Sequence, residues 1–260
     1  MKKKFLALTM ASAVMLMGAG YAYWTDTLNI NNTVTTGELN VKFVNEANAN
    51  TTRGGDDQAA PNHYWGAYVN HEGLTAGHNG PVTLIDEKTV TTRVTNMYPG
   101  AYAQYYGTIE NDGTIPAVFD DATVVFEGAN DATTLSAAEQ EFKDNLRFAI
   151  GYKIVDANNQ PVATNPGSGD GRFWASGTMD QFQSKINDLF TNVRLEPGQK
   201  LLLDFPSAAD AQAAMESIEY PYNEEMHCIT YTLNTAADDD IENQELEMQI
   251  TLNWKQHNAQ

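Results

Sequence analysis

Five histidines, one cysteine and three aspartate clusters carry most of the side-chain chemistry open to this 260-residue chain. His71 and His78 stand at the two ends of "HEGLTAGH". A metallopeptidase of the His-Glu-x-x-His type needs two imidazoles on one helical face with a glutamate between them as base. The spacing of His71 and His78 returns to one face, but Gly73 and Gly77 oppose a helix there. What remains is a loop site shared by His63, His71 and His78, read against plain solvated loop histidines. His227 and His257 stand apart from that group. Cys228, alone, can form no intrachain disulfide and no multi-cysteine zinc site, and reads as a small buried apolar residue. No Gly-x-Ser-x-Gly elbow occurs, and "NPGSGDG" lacks the lysine and helix start of a phosphate loop. No catalytic residue is therefore assigned.

The acidic clusters are Asp56-Asp57, Asp120-Asp121 and Asp238-Asp239-Asp240. Calcium takes six to eight oxygen ligands, and "DATVVFEGANDA" and "DDDIENQE" are the two stretches best able to supply some. Neither has the spaced pattern of an EF-hand, and solvated acidic loops are the competing reading. Calcium is the one cofactor weighed, and no metal site is assigned. With 15 basic against 34 acidic residues and a net charge of −19, the chain repels nucleic acid and anionic lipid, which require clustered lysine and arginine.

Three of the few lysines, Lys2, Lys3 and Lys4, open the chain and precede the apolar run "FLALTMASAVMLM". This is the layout of a secretory signal, and the run is shorter than the roughly 20 apolar residues of a transmembrane helix. Gly20 and Ala22 stand at the −3 and −1 positions of a cleavage site, so a signal peptidase is expected to cut after Ala22. An uncleaved signal anchor is the alternative. No cysteine follows the run to take a lipid, and the mature protein is expected to be exported without a stable membrane anchor.

The elements that would carry any site are mostly strands. "TLNINNTV" alternates with Leu28, Ile30 and Val34 on one face, whereas "ELNVKFV" alternates with Leu39, Val41 and Phe43. The face changes parity across Gly37, which one continuous strand cannot do, so Gly37 marks a bulge or turn between two strand units. Residues 45–81 read as an irregular insertion with short elements near "HYWGAYV". Pro99-Gly100 suits the centre of a type II turn, and Asn111-Asp112-Gly113 closes "AQYYGTIENDG" as a hairpin-type signal. Ser136 to Glu139 is a capping box, with Phe142, Leu146 and Ile150 along the helix behind it, and "RFAIGYKIVD" returns to strand. "TMDQFQSKINDLF" predicts a second helix with Phe182, Ile186, Leu189 and Phe190 inward, and Ser207 to Ala214 a short third. "MHCITYTLN" and "LEMQITLNWKQ" are the last strands. Many short strands, turn residues between them and no regular strand–helix alternation predict a β-sandwich with a few inserted helices. The expected division is a signal peptide at 1–22, an N-terminal strand segment at 23–36 and one sandwich domain at 37–260.

The signal, the "YWTDT" start and "TTGELNVKF" about ten residues later resemble bacterial proteins matured by the SipW type of signal peptidase. "TNMYPGAYAQYYGTIENDGTIPAVF" resembles the Pro-Gly turn and Asn-x-Gly-x-x-x-Ala stretch of the TasA/camelysin family. The resemblance covers about the first 45 residues and the 90–126 region. It implies a jelly-roll sandwich exported by Gram-positive bacteria to biofilm matrix fibres or to cell and spore surfaces. In fibre-forming members the new N-terminal segment adds as a strand to the next subunit. That role falls here on Thr25 to Val34, with Trp24, Leu28, Ile30 and Val34 as the assembly strand. The partner would be a second copy of the chain, head to tail. The resemblance also carries a metallopeptidase alternative through camelysin, and a monomeric surface or spore-coat protein is the third reading.

Strand donation has its own physical case. A sandwich edge exposes backbone N–H and C=O groups that an extended segment can satisfy. Burying side chains of the Leu28, Ile30 and Val34 kind contributes roughly 5–8 kcal/mol before ordering costs. A head-to-tail contact is heterologous and builds a filament unless it closes. The competing reading makes residues 27–35 the first strand of their own sheet.

Overall fold

A computed structural model describes residues 37–44, 66–70, 83–84, 88–95, 97, 99–100, 102–129, 132–163, 171–220, 229–237, 241 and 244–257. Short alternating segments become antiparallel strands: β1 (Val41–Phe43), β2 (Gly66–Asn70), β3 (Thr83–Leu84), β4 (Thr89–Thr95), β5 (Tyr102–Tyr106), β6 (Thr108–Asn111) and β7 (Ala117–Glu127). Then follow α1 (Ala137–Asn145), β8 (Leu146–Gly151), β9 (Lys153–Val155), β10 (Trp174–Thr178), α2 (Phe182–Phe190), β11 (Arg194–Leu195) and β12 (Lys200–Leu202). The last elements are α3 (Ala208–Glu216), β13 (Ile229–Leu233) and β14 (Glu245–Gln256).

Three antiparallel sheets result, with strand orders β10-β8-β13-β5-β2, β1-β6-β12-β9 and β11-β7-β14-β4-β3. The first two share chain: β5 runs into β6 through Gly107, and β8 into β9 through Tyr152. The Leu203 amide donates to the Gly107 carbonyl at 2.9 Å, which carries the pairing past one of these bends. Together they form one bent layer facing the third sheet. Between the described strands the chain crosses from layer to layer at β2–β3, β4–β5, β6–β7, β7–β8, β10–β11, β11–β12 and β13–β14. The fold is therefore a mostly-β, jelly-roll-like sandwich with few helices. Ile109, Ile150, Ile229 and Tyr231 from the bent layer meet Val94, Phe119, Met248, Ile250 and Leu252 from the other in one buried cluster. Cross-layer packing of alternate side chains is the expected core of such a sandwich.

The helices follow their local signals. Ser136 accepts from the Glu139 amide, and the Glu139 carboxylate accepts from the Ser136 amide, which completes the capping box of α1. Phe142 is buried, but α1 ends at Asn145. Leu146, expected on the helix, lies in β8 instead, while Ile150, which the sequence placed both on the helical stripe and in the strand "RFAIGYKIVD", follows the strand reading. Leu146 is extended at φ −74°, ψ 141°, and pairs with Leu233, so sheet pairing overrides the helical spacing. In α2 the four expected side chains, Phe182, Ile186, Leu189 and Phe190, are all buried. Helix α3, capped by Ser207, lies on β8 and β10, where Ala211, Ala214 and Met215 form a second cluster with Phe205 and Ala149.

Gly100 takes φ +86°, as the Pro-Gly turn requires, and its amide donates to the Leu233 carbonyl at 3.0 Å. Asn111-Asp112-Gly113 is not a hairpin. It ends β6 in the bent layer and leads to β7 in the opposite one, so its two flanking strands belong to different sheets. The reason lies in what Asn111 bonds.

Candidate assembly site

Asn111 is fully buried at the end of β6. Its Nδ2 donates to the carbonyls of Ile115 and Leu195, each at 2.9 Å, and its Oδ1 accepts from the Gly113 amide at 3.1 Å. Its backbone N–H donates to Gln199 O at 3.0 Å, and its carbonyl accepts from Gly198 at 2.8 Å. Side chain and backbone together tie β6, the end of β11 and the Pro197-Gly198 turn. An asparagine that bonds its own chain two residues on makes a tight turn without a hairpin partner.

That turn holds the first described residues of the chain. The Glu38 amide donates to Thr114 Oγ1 at 2.8 Å, and the Thr114 amide donates to the Glu38 carbonyl at 2.8 Å. The Asn40 carbonyl accepts from Asp112 at 2.8 Å and Gly113 at 3.1 Å. Lys42 Nζ lies 2.6 Å from Asp112 Oδ2, a solvent-facing ion pair of small worth. Beyond these bonds, β1 pairs with β6 from Val41↔Asn111 to Phe43↔Ile109, and Val41 and Phe43 are buried while Leu39 is exposed. A Cβ on Gly113 would lie 2.4 Å from Glu38 O and 2.6 Å from Asn40 N. A Cβ on Gly37 would lie 2.0 Å from Ile115 Cγ2. Gly37, read from the sequence as a bulge or turn, is thus a point of close approach. The Asn-x-Gly-x-x-x-Ala stretch has a packing meaning throughout: Asn111 ties, Gly113 makes room, and Ala117 is buried where β7 meets β11.

The margins of the sandwich differ. Helix α2 contacts both β10 and β7 and bridges one margin. Its Asn187 takes the place of a strand: Oδ1 accepts from Ala122 N–H at 2.8 Å and Nδ2 donates to Ala122 O at 3.2 Å. Gln183 Oε1 accepts from Val124 N–H at 3.0 Å, and Phe119 N–H donates to Val193 O at 2.9 Å. The outer backbone of β7 is thereby occupied at Phe119, Ala122 and Val124, which obstructs that edge for a further strand. The other margin carries β1, β2 and the two-residue β3 at the ends of their sheet orders. The chain enters the sandwich on this side.

Trp24, Leu28, Ile30 and Val34, expected as an assembly strand, lie outside the described residues, as do Gly20 and Ala22 of the expected cleavage site. So do His63, His71, His78, His227, Cys228, Asp56-Asp57 and Asp238 to Asp240. His257, at the end of the last strand, has Nε2 3.2 Å from Arg194 Nη1. Asp120 and Asp121 sit on strand β7, with Lys255 Nζ at 2.9 Å and Asn253 Nδ2 at 3.0 Å respectively. "DATVVFEGANDA" is therefore strand through Glu127, with Asp121 and Glu127 hydrogen-bonded to Asn253 and Gln249 of β14. Among the described residues, no three acidic, histidine or cysteine side chains gather as a metal site, and no helix is long and apolar enough to cross a membrane.

The shifted ionisations belong to packing. Glu139 Oε1 accepts from Ala129 N–H at 2.6 Å and Oε2 from Ser136 N–H at 2.7 Å. These bonds, the one from Ala129 foremost, hold its carboxyl below the usual range. Burial pushes the Tyr105 and Tyr231 phenols up, so both stay neutral. Tyr105 Oη donates to the Arg93 carbonyl, and the Thr92 hydroxyl beside the Tyr231 phenol offsets part of the rise there. The sequence reading missed Asn111, Thr114, Gln183 and Asn187. Only Asn111 had a local signal, and that signal pointed to a hairpin. Compared with known families, curated proteins and solved structures, the chain has no match.

Proposed function

We propose that the chain is an exported structural subunit of extracellular-matrix or cell-surface fibres, and that it polymerises head to tail by lending its N-terminal strand to the next copy. The observation that carries the reading is the asymmetry of the sandwich margins. One margin is closed by α2 through Asn187 and Gln183, and the chain enters at the other through β1. A subunit with one closed edge adds strands in one place, which suits a filament over a branched aggregate. The alternating Leu28, Ile30 and Val34 before Gly37 supply the strand in sequence.

Negative-stain microscopy of protein beginning at Tyr23 tests this against protein lacking residues 23–35. Filaments from the first and single particles from the second are expected. Equal filament yield from both would exclude strand donation.

A further inference from the structure

We infer that the joint between Gly37–Val44 and the turn at 111–115 is a permanent anchorage, which keeps the root of the N-terminal arm on its own subunit and confines the donated strand to residues before Gly37; this rests on the strand-donation reading above. The joint is bonded from both sides. Glu38 gives its N–H to Thr114 Oγ1 and its carbonyl to the Thr114 amide, and Asn40 O takes two amides of the turn. Two strand positions on, Val41 and Phe43 enter the core. Withdrawing this segment would strip β6 of one of its two strand partners and expose both side chains. The turn is also shaped for the segment. Gly113 and Gly37 each stand where a side chain would collide with the opposite strand of the joint, and the buried Asn111 fixes the turn from behind.

The consequence is a limit on reach. Residues 23–36, extended at about 3.3 Å each, span at most roughly 45 Å, so the receiving edge of the second copy must lie within that distance of Gly37. Residues 38–43 take no part in the exchange and stay paired with β6 in both free and assembled protein.

Amide hydrogen exchange at Glu38, Gly113 and Thr114 tests the anchorage in three preparations: mature monomer, monomer lacking residues 23–36, and filaments. Protection equal within about threefold in all three is expected. A larger loss in the truncated monomer or in the filament would overturn the anchorage. If truncated protein still forms filaments, or if neither protein does, strand donation fails and the anchorage is judged on the truncated monomer alone. Thr114→Val removes the acceptor for the Glu38 amide and is expected to speed its exchange about tenfold, the factor for loss of one net hydrogen bond. It should also lower filament yield severalfold while β13 and β14 stay protected. Unchanged yield would sink the positioning role of Thr114.

Discussion

Glu38 and Thr114 hold each other by two hydrogen bonds of 2.8 Å, one from each backbone amide, although 76 positions separate them. This exchange closes the β6–β7 turn over the start of the domain. It makes the chain's entry into the sandwich as well bonded as the strands that follow.

Gly113→Ala is expected to destabilise the domain by about 1–3 kcal/mol, because the new Cβ meets backbone atoms of Glu38 and Asn40 that cannot rotate away. Gly171 is the control: it has φ +77° and nothing within 4 Å of a built Cβ, so Ala there costs only the left-handed strain, about 1 kcal/mol. Urea denaturation of both variants checks the order. A larger loss at position 171 would contradict the close-approach account.

Asn111→Ala removes three hydrogen bonds and leaves the Ile115 and Leu195 carbonyls short of a buried donor, with an expected cost of about 2–4 kcal/mol. Asn111→Asp should be no rescue. Its side chain keeps the acceptor for Gly113 but turns an oxygen toward the two carbonyls. Thermal unfolding of the pair, read beside wild type, decides.

Replacing Asn187 and Gln183 together by Ala uncovers the outer backbone of β7 at Ala122 and Val124. The expected stability loss is about 1–2 kcal/mol. The more telling outcome is association through a second edge, seen as disordered aggregates by light scattering even in protein lacking residues 23–36. Clear solutions of the truncated double variant would show that α2 does not act as an edge guard.

Glu139 sets a pH dependence of known sign. Its folded carboxyl titrates below the ordinary value of 4.5, so its contribution is complete above about pH 4.5 and is lost as pH falls through the lower folded value. Stability of wild type should therefore drop in acid more steeply than that of Glu139→Gln. Denaturation midpoints at pH 7 and pH 3 measure this. Parallel pH profiles would remove Glu139 from the account.

Local order was legible in the residues themselves. Strand-like runs between turn residues located most of the described strands, and period-two alternation placed Val41 and Phe43 on the buried face of β1, because a strand's buried face depends on neighbours two positions apart. The Ser136–Glu139 box started α1, and the spacing of Phe182, Ile186, Leu189 and Phe190 defined the inner face of α2, since both depend on contacts within one or two helical turns. Pro99-Gly100 declared its turn because proline fixes its own φ and glycine accepts the positive φ that follows. Sequence also carries the N-terminal signal pattern and the alternation of Leu28, Ile30 and Val34.

What only the tertiary structure decided depends on partners far along the chain. Asn-Asp-Gly is equally good chemistry for a hairpin and for a layer crossing, and the choice fell to Leu195, Gly198 and Gln199, whose approach gives Asn111 its long-range bonds. Leu146 and Ile150 fit a helical stripe, yet β13 and β10 offered β8 a ladder on both sides. Asn187 and Gln183 look like the polar face of a surface helix, and become strand substitutes only where that helix meets the edge of β7. In each case the local free-energy difference between alternatives is small, and long-range backbone hydrogen bonding and burial are large enough to choose.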